Sequence, residues 1–293
     1  MAEKDLSEKI LLNYNDVFAD IVNGLLFEGR TVISPDALED KTVHAQYKAE
    51  DGQLHEEERD VFKKICQDFG LEIALCGLEN QTEPYKYMPA RIIGYDGAAY
   101  RAQLLDKRIK RLVPVVTLVL NFGAERWNEP KSLKELFDMP EGLDEYVNDY
   151  KIHVFDVAWF SEEEVARFTS DFRIVANFFV KKRIYGENYV PDDPSEIEHI
   201  DAVLKLLAVM TGDYRYELPV PERKEVVNMC DVAQRLEDIG IAKGRAEGRA
   251  EGRAEGLAEG VNDAIEKLAN HYLVNGTAKS KAEALEMATA ILK

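Results

Sequence analysis

Apolar positions recur at helical spacing in residues 13 to 28, NYNDVFADIVNGLLFE, where Val17, Phe18, Ile21, Val22 and Leu25 share one side. That pattern predicts an amphipathic helix. Residues 29 to 56 are mixed and polar, with Pro35 and the acidic Glu56-Glu57-Glu58, and read as a long connection. Two strand-like runs follow, Asp60 to Cys66 and Leu71 to Leu78. Gln67-Asp68-Phe69-Gly70 between them is a turn signal, so an antiparallel hairpin is expected. Residues 85 to 111 read as helical despite Gly94 and Gly97. Leu112 to Phe122, LVPVVTLVLNF, is a β-branched apolar run that suits a central strand buried on both faces. Residues 124 to 150 form an acidic, Pro-containing insertion with short helical pieces, and Lys151 to Phe160 reads as another strand. Ser161 with Glu164 makes a capping box. It opens a helix whose stripe is Val165, Phe168, Phe172, Val175, Ala176 and Phe179.

These elements make an α/β layer with a mixed sheet over residues 10 to 185. GENYVPDDP at 186 to 194 is a linker. A helical region at 195 to 239 follows, with one helix capped by Ser195 and ending near Gly212, and another starting near Pro221. From Gly240 the chain repeats every four residues, GIAK GRAE GRAE GRAE GLAE G. Four residues turn about 400°, so each residue type forms a slowly drifting stripe. Arg245, Arg249 and Arg253 meet like charge at i,i+4, as do Glu247, Glu251 and Glu255, which is mildly unfavourable within one helix. A partner helix of opposite register would relieve it. The expectation is a homo-oligomer held through this stem, against the plainer alternative of a solvated linker. Residues 262 to 292 are amphipathic and would pack on the stem or on a second copy.

Charge and motif content narrow the chemistry. Lys and Arg number 37 against 55 Asp and Glu, a formal charge of −18. A chain coated in basic surface is excluded, although a local basic stripe is not. Cys66, Cys76 and Cys230 are too few for a disulfide framework and lack zinc spacing. MAEKDLSEKI shows no apolar leader, and no run reaches the roughly 20 residues of a membrane helix, so a cytoplasmic protein with no membrane partner is expected. G-x-S-x-G, H-E-x-x-H, a Walker loop and G-x-G-x-x-G are all absent. His44, His55, His153, His199 and His271 are scattered without metal spacing and read as surface or satisfied histidines.

The hairpin is what remains. A turn centred between Phe69 and Gly70 would set Asp60 directly opposite Glu79, with Gln81 on the same face. Two carboxylates at that separation repel unless a cation lies between them, and a hard oxygen site suits Mg²⁺ or Mn²⁺. A one-residue slip breaks this geometry, leaving acidic residues at a solvated strand end.

Several segments together resemble a known family. They are Glu57-Glu58-Arg59-Asp60-Val61-Phe62-Lys63-Lys64, Ala74-Leu75-Cys76-Gly77-Leu78-Glu79-Asn80-Gln81-Thr82-Glu83 and Met88 to Arg101. Phe18-Ala19-Asp20, Pro114 to Leu120, Val147-Asn148-Asp149-Tyr150, Ser170 to Arg173 and the glycine-rich four-residue repeat extend the match. The sequence is similar to the Rpn family, the recombination-promoting, transposase-like nucleases of the PD-(D/E)XK superfamily, over roughly residues 14 to 260. The resemblance implies a restriction-endonuclease-like α/β core. Asp60 matches the motif aspartate, with Arg59 in place of the superfamily's proline, and Glu79 matches the second acid. Gln81 stands where the superfamily has Lys, a departure that this family shares. Asp60 and Glu79 would hold Mg²⁺ or Mn²⁺, which would activate water for phosphodiester hydrolysis. Gln81 would hydrogen-bond a water without bringing charge, so weak activity is expected. Asp20 is the candidate for a first-helix acid that sometimes joins such a site.

Residues 84 to 113 carry Lys86, Arg91, Arg101, Lys107, Arg108, Lys110 and Arg111 against Asp96 and Asp106, with tyrosines interleaved. Because this segment follows Gln81, it is expected to line the same cleft and contact DNA phosphates, with Lys86, Arg91 and Arg101 as candidate contacts. The reading is a metal-dependent DNA endonuclease associated with recombination or mobile elements. The alternative is a degenerate nuclease fold used for binding or regulation, which −18 and Gln81 favour. In another alternative, the stem and C-terminal helices bind a partner and set the role.

Overall fold

A computed structural model describes residues 10–41, 44–48, 54–58, 61–66, 70–78, 86–186, 189–217 and 226–292. The chain divides into two compact units, residues 1–233 and 234–293. The first begins with α1 (Asn15–Leu26), which buries Val17, Phe18, Ile21 and Val22. Gly24 is required there, because a Cβ would come within 2.3 Å of the Phe168 ring. Asn23 anchors the return of the chain: its amide donates to Ile33 O at 2.9 Å, and its carbonyl accepts from Val32 N and Ile33 N.

The stretch read as a connection carries strands instead. It holds β1 (Leu38–Asp40) and an antiparallel hairpin, β2 (His44–Lys48) with β3 (Leu54–Glu58). β1 is only three residues long and reads Leu-Glu-Asp, too short and polar for a period-two signal. It forms by pairing Leu38 with Ile65 on β4 (Val61–Cys66). β4 and β5 (Gly70–Leu78) make the expected antiparallel hairpin. Its register is three residues off the expected one. Val61 faces Leu75, Phe62 faces Ala74 and Cys66 faces Gly70, whereas a turn centred at 69/70 would have put Val61 opposite Leu78. The described pairing runs as far as Cys66 opposite Gly70. A Cβ at Gly70 would lie 2.4 Å from Val113, so the strand begins where only glycine fits.

Helix α2 (Met88–Leu105) then crosses over to β6 (Val115–Asn121), which runs parallel to β5, and β7 (His153–Asp156) runs parallel to β6. The sheet order is β1-β4-β5-β6-β7, antiparallel on one side and parallel on the other. β6 is buried along almost its whole length, as its apolar run predicts. Its one interior hydroxyl, Thr117, donates to Asp96 at 2.6 Å, and Tyr150 also donates to that carboxylate. α2, β6 and the segment before β7 are thereby tied together in the core.

β7 is shorter than the expected 151 to 160. Val157–Trp159 coil into a 3-10 turn that buries Val157 and Ala158. The Ser161 capping box is present, but its helix, α3 (Glu162–Val165), lasts one turn. The apolar stripe resumes in α4 (Asp171–Tyr185), where Ser170 accepts from Phe172 N as a second N-cap. Phe168, between the two helices, is 1% exposed and keeps the stripe continuous in space. α5 (Ile200–Thr211) ends at Gly212 with φ 68, as expected. Ser195 does not cap it. That hydroxyl receives Arg173 Nη2 at 2.7 Å, and His199 occupies the N-cap position. Pro221 lies outside the described residues, and the next described helix starts at Met229.

α6 (Met229–Val274) has 46 residues, about 70 Å at 1.5 Å per residue. The four-residue repeat is helical throughout and lies wholly on the surface. A Cβ at Gly240, Gly244, Gly248, Gly252, Gly256 or Gly260 would meet nothing within 4 Å. After a turn at Gly276 (φ 70), α7 (Lys281–Leu292) packs Ala284 and Ala288 against Ile265 and Ala269. The second unit therefore has a small core of its own. Among the described residues no helix is long and apolar enough to cross a membrane.

Candidate active site

Parallel strands carry their C-terminal ends to one edge of a sheet, where α/β proteins place ligands. Here that edge is a row: Leu78 of β5 pairs with Asn121 of β6, and Asn121 pairs with Asp156 of β7. The Asn121 amide donates to Asp156 at 2.8 Å and to Glu125 O at 3.0 Å. Asp156 also accepts from Trp127 N at 2.9 Å. These bonds tie the loop after β6 to the strand ends. The N-terminal turn of α2 starts near the same edge, since α2 leaves from β5 and runs back toward the start of β6.

Asp60, Glu79 and Gln81 lie outside the described residues. Their chain neighbours do not. Val61 and Leu78 both sit at the end of the β4/β5 hairpin away from its turn. The pairing that set Asp60 directly opposite Glu79 rested on a register that the described part of the hairpin does not have.

Asp20 does not point at this edge as a free acid. It is 9% exposed, and its carboxylate accepts the backbone N–H of Thr169 at 2.9 Å and of Ser170 at 2.8 Å. It also accepts the Thr169 hydroxyl at 3.0 Å and the Ser170 hydroxyl at 2.7 Å. With its oxygens committed to the start of α4, Asp20 is a structural clamp rather than a solvated helix residue or a ligand.

The basic segment divides between two ends of α2. Lys86 is exposed, with its ammonium 5.8 Å over the Tyr87 ring. Arg91 is half-buried and donates from Nε to the Tyr95 hydroxyl at 2.5 Å. Arg101 is exposed but lies ten residues further along, about 15 Å down the helix axis. The far end is fixed beside the start of β6. Gln103 receives Val113 N at 2.9 Å and donates to Val113 O at 3.2 Å, while the Tyr100 hydroxyl accepts from Val115 N. Arg101, Lys107, Lys110 and Arg111 therefore lie toward the end of α2 away from Lys86. Arg108 there is occupied by Asp106, at 2.7 Å, and holds that carboxyl well below the ordinary range.

One grouping had no signal in the sequence. His199 Nε2 lies 3.0 Å from Asp16 Oδ2, and Glu198 is close by, so of the two expectations, surface or satisfied, His199 is a satisfied histidine. Asp16 and His199 are 183 residues apart in the chain, so no local spacing could have revealed them.

A helix, three antiparallel strands, a crossover helix and a parallel strand are the core of the restriction-endonuclease-like, PD-(D/E)XK class of α/β proteins, and the chain is one of these. The family model described as "Putative transposase, YhgA-like" matches residues 51–205. The chain belongs to that family, within the Rpn/PD-(D/E)XK-like transposase group, which is associated with mobile elements. No curated protein matches significantly, and neither does any solved structure.

Proposed function

We propose that this protein is a metal-dependent DNA endonuclease in which Asp60 and Glu79 hold Mg²⁺ or Mn²⁺ and Gln81 positions water by its amide. The observation that carries the reading is the family match over 51–205, which includes all three residues. The described hairpin register does not itself pair Asp60 with Glu79, so the reading rests on that match and on where the neighbours of the two acids lie. Val61 and Leu78, adjacent in the chain to the two acids, lie at one end of the hairpin, and the C-terminal row of the parallel strands continues from Leu78. Two carboxylates form a hard oxygen donor set of the kind that takes Mg²⁺ or Mn²⁺. A divalent ion there supplies positive charge against the scissile phosphate. Gln81 brings no charge of its own, so turnover is slow. Duplex DNA reaches this edge past Lys86 and Arg91, at the near end of α2, by phosphate contacts without sequence preference.

Supercoiled plasmid incubated with the full chain tests the proposal. Nicking and linearisation are expected with Mg²⁺ or Mn²⁺ and not with chelator, and Asp60→Ala abolishes them. Equal cutting by wild type and Asp60→Ala overturns this site. Absence of both cutting and Mn²⁺ binding by the wild type leaves a degenerate nuclease fold used for binding. The stem is proposed to self-associate, so truncation before Gly240 lowers the sedimentation coefficient beyond the mass removed while cleavage persists.

A further inference from the structure

Three side chains from two distant segments converge where α1 begins and the chain enters α5. They are Asp16, in the first turn of α1, Glu198, and His199 at the N-cap position of α5. One ligand atom from each lies within 4.8 Å of the other two. We propose that this cluster is a second divalent-cation site, distinct from Asp60 and Glu79, and that it takes a borderline transition ion of the Zn²⁺, Co²⁺ or Ni²⁺ type.

The donor set argues for that class. An imidazole with two carboxylates is softer than an all-oxygen cage and suits Zn²⁺ and its neighbours over Mg²⁺. Ligand atoms on a four-coordinate Zn²⁺ stand about 3.4 Å apart, given bonds near 2.1 Å. Asp16 and His199 are already at 3.0 Å. Glu198 is exposed, so its carboxylate can close the remaining gap by rotation at little cost. A fourth position stays open to solvent beside Asp16, whose side chain is 41% exposed.

Electrostatics argue the same way. Among the described residues neither Asp16 nor Glu198 has a Lys or Arg partner, and the imidazole is the only group offered to Asp16. Two carboxylates brought together without a cation repel, and a divalent ion removes that repulsion. Neighbouring groups hold the ligand-bearing residues in place. The Tyr14 ring stacks on His199, with centroids 3.7 Å apart and planes 14° from parallel, which fixes the imidazole plane. Asp171 accepts Glu198 N at 3.1 Å and His199 N at 2.6 Å, so both ligand-bearing residues have a fixed backbone. An ion held here joins α1 to the entry of α5 and acts as a clasp rather than as a reaction centre.

Co²⁺ titration of the untagged, metal-free full chain tests the proposal by visible absorption. One equivalent is expected to give d–d bands of four- or five-coordinate intensity. The bands should be retained in Asp60→Ala and lost, with at least a tenfold weaker affinity, in His199→Gln and in Asp16→Asn. As a second readout, Zn²⁺ should raise the thermal midpoint of wild type and Asp60→Ala but not of His199→Gln, all three being folded by circular dichroism without metal. Absence of the bands in wild type, or bands indifferent to both His199→Gln and Asp16→Asn, overturns it. Loss of the bands in Asp60→Ala alone also overturns it, and places the ion at the nuclease site.

Discussion

Asp20 and Ser170 share two hydrogen bonds: the Asp20 carboxylate accepts both the Ser170 backbone N–H, at 2.8 Å, and the Ser170 hydroxyl, at 2.7 Å. The acid at the centre of α1 thus satisfies the orphan donors at the start of α4, 150 residues away. Asp20→Ala leaves those donors buried and unpaired, and is expected to cost about 2 to 3 kcal/mol. Urea unfolding checks this, with a lower midpoint at an unchanged slope. The same variant should bind Mn²⁺ as the wild type does. A large loss of Mn²⁺ affinity with little loss of stability would return Asp20 to the metal site.

Acid stability should depend on Asp193. Burial pushes its carboxyl up, but the Ser195 N–H and hydroxyl, the Arg173 guanidinium and Asn177 more than offset this and hold it below the ordinary Asp value. A depressed native pKa favours the folded state above the unfolded value of about 4, and that contribution is lost as pH falls through the native value. Asp193→Asn should therefore lower stability at pH 6 and flatten the loss of stability below about pH 4. Urea midpoints at pH 6 and pH 3 for both proteins measure it. Parallel curves would contradict the assignment.

The two ends of α2 should behave differently toward DNA. Lys86→Ala is expected to weaken binding to a short duplex and to reduce the slope of log K against log salt by about one. Lys110→Ala, at the far end, should leave that slope unchanged. Fluorescence anisotropy at several salt concentrations decides. The opposite ranking would place the duplex along the Arg101 to Arg111 end.

What was legible in the sequence follows from what is local. The β6 run, the Ser161 capping box, the Gly212 stop and the antiparallel hairpin each rest on residues within a few positions of one another, and each is present. What depends on pairing was not. β1 exists because Leu38 meets Ile65, and three residues of its own carry no periodicity. The hairpin register depends on which residues pair across the turn, and turn composition alone does not fix that. The single stripe from Val165 to Phe179 is two helices because Ser170 caps a second one, a signal visible in Ser170-Asp171 once the stripe is not read as continuous. In the site, the two acids rest on an assumed hairpin register and on a resemblance, whereas the roles of Asp20, Asp16 and His199 depend on partners more than a hundred residues away. Adjacency to Gln81 in sequence likewise does not show how far the length of α2 spreads Lys86 from Arg101.

The most direct test of the central claim is an anomalous difference map from crystals of the full chain soaked in millimolar Mn²⁺. The account predicts a peak with one oxygen of Asp60 and one of Glu79 each about 2.0 to 2.2 Å away, and Gln81 facing the same space. Density showing the two carboxylates turned apart, with no Mn²⁺ between them, would contradict it.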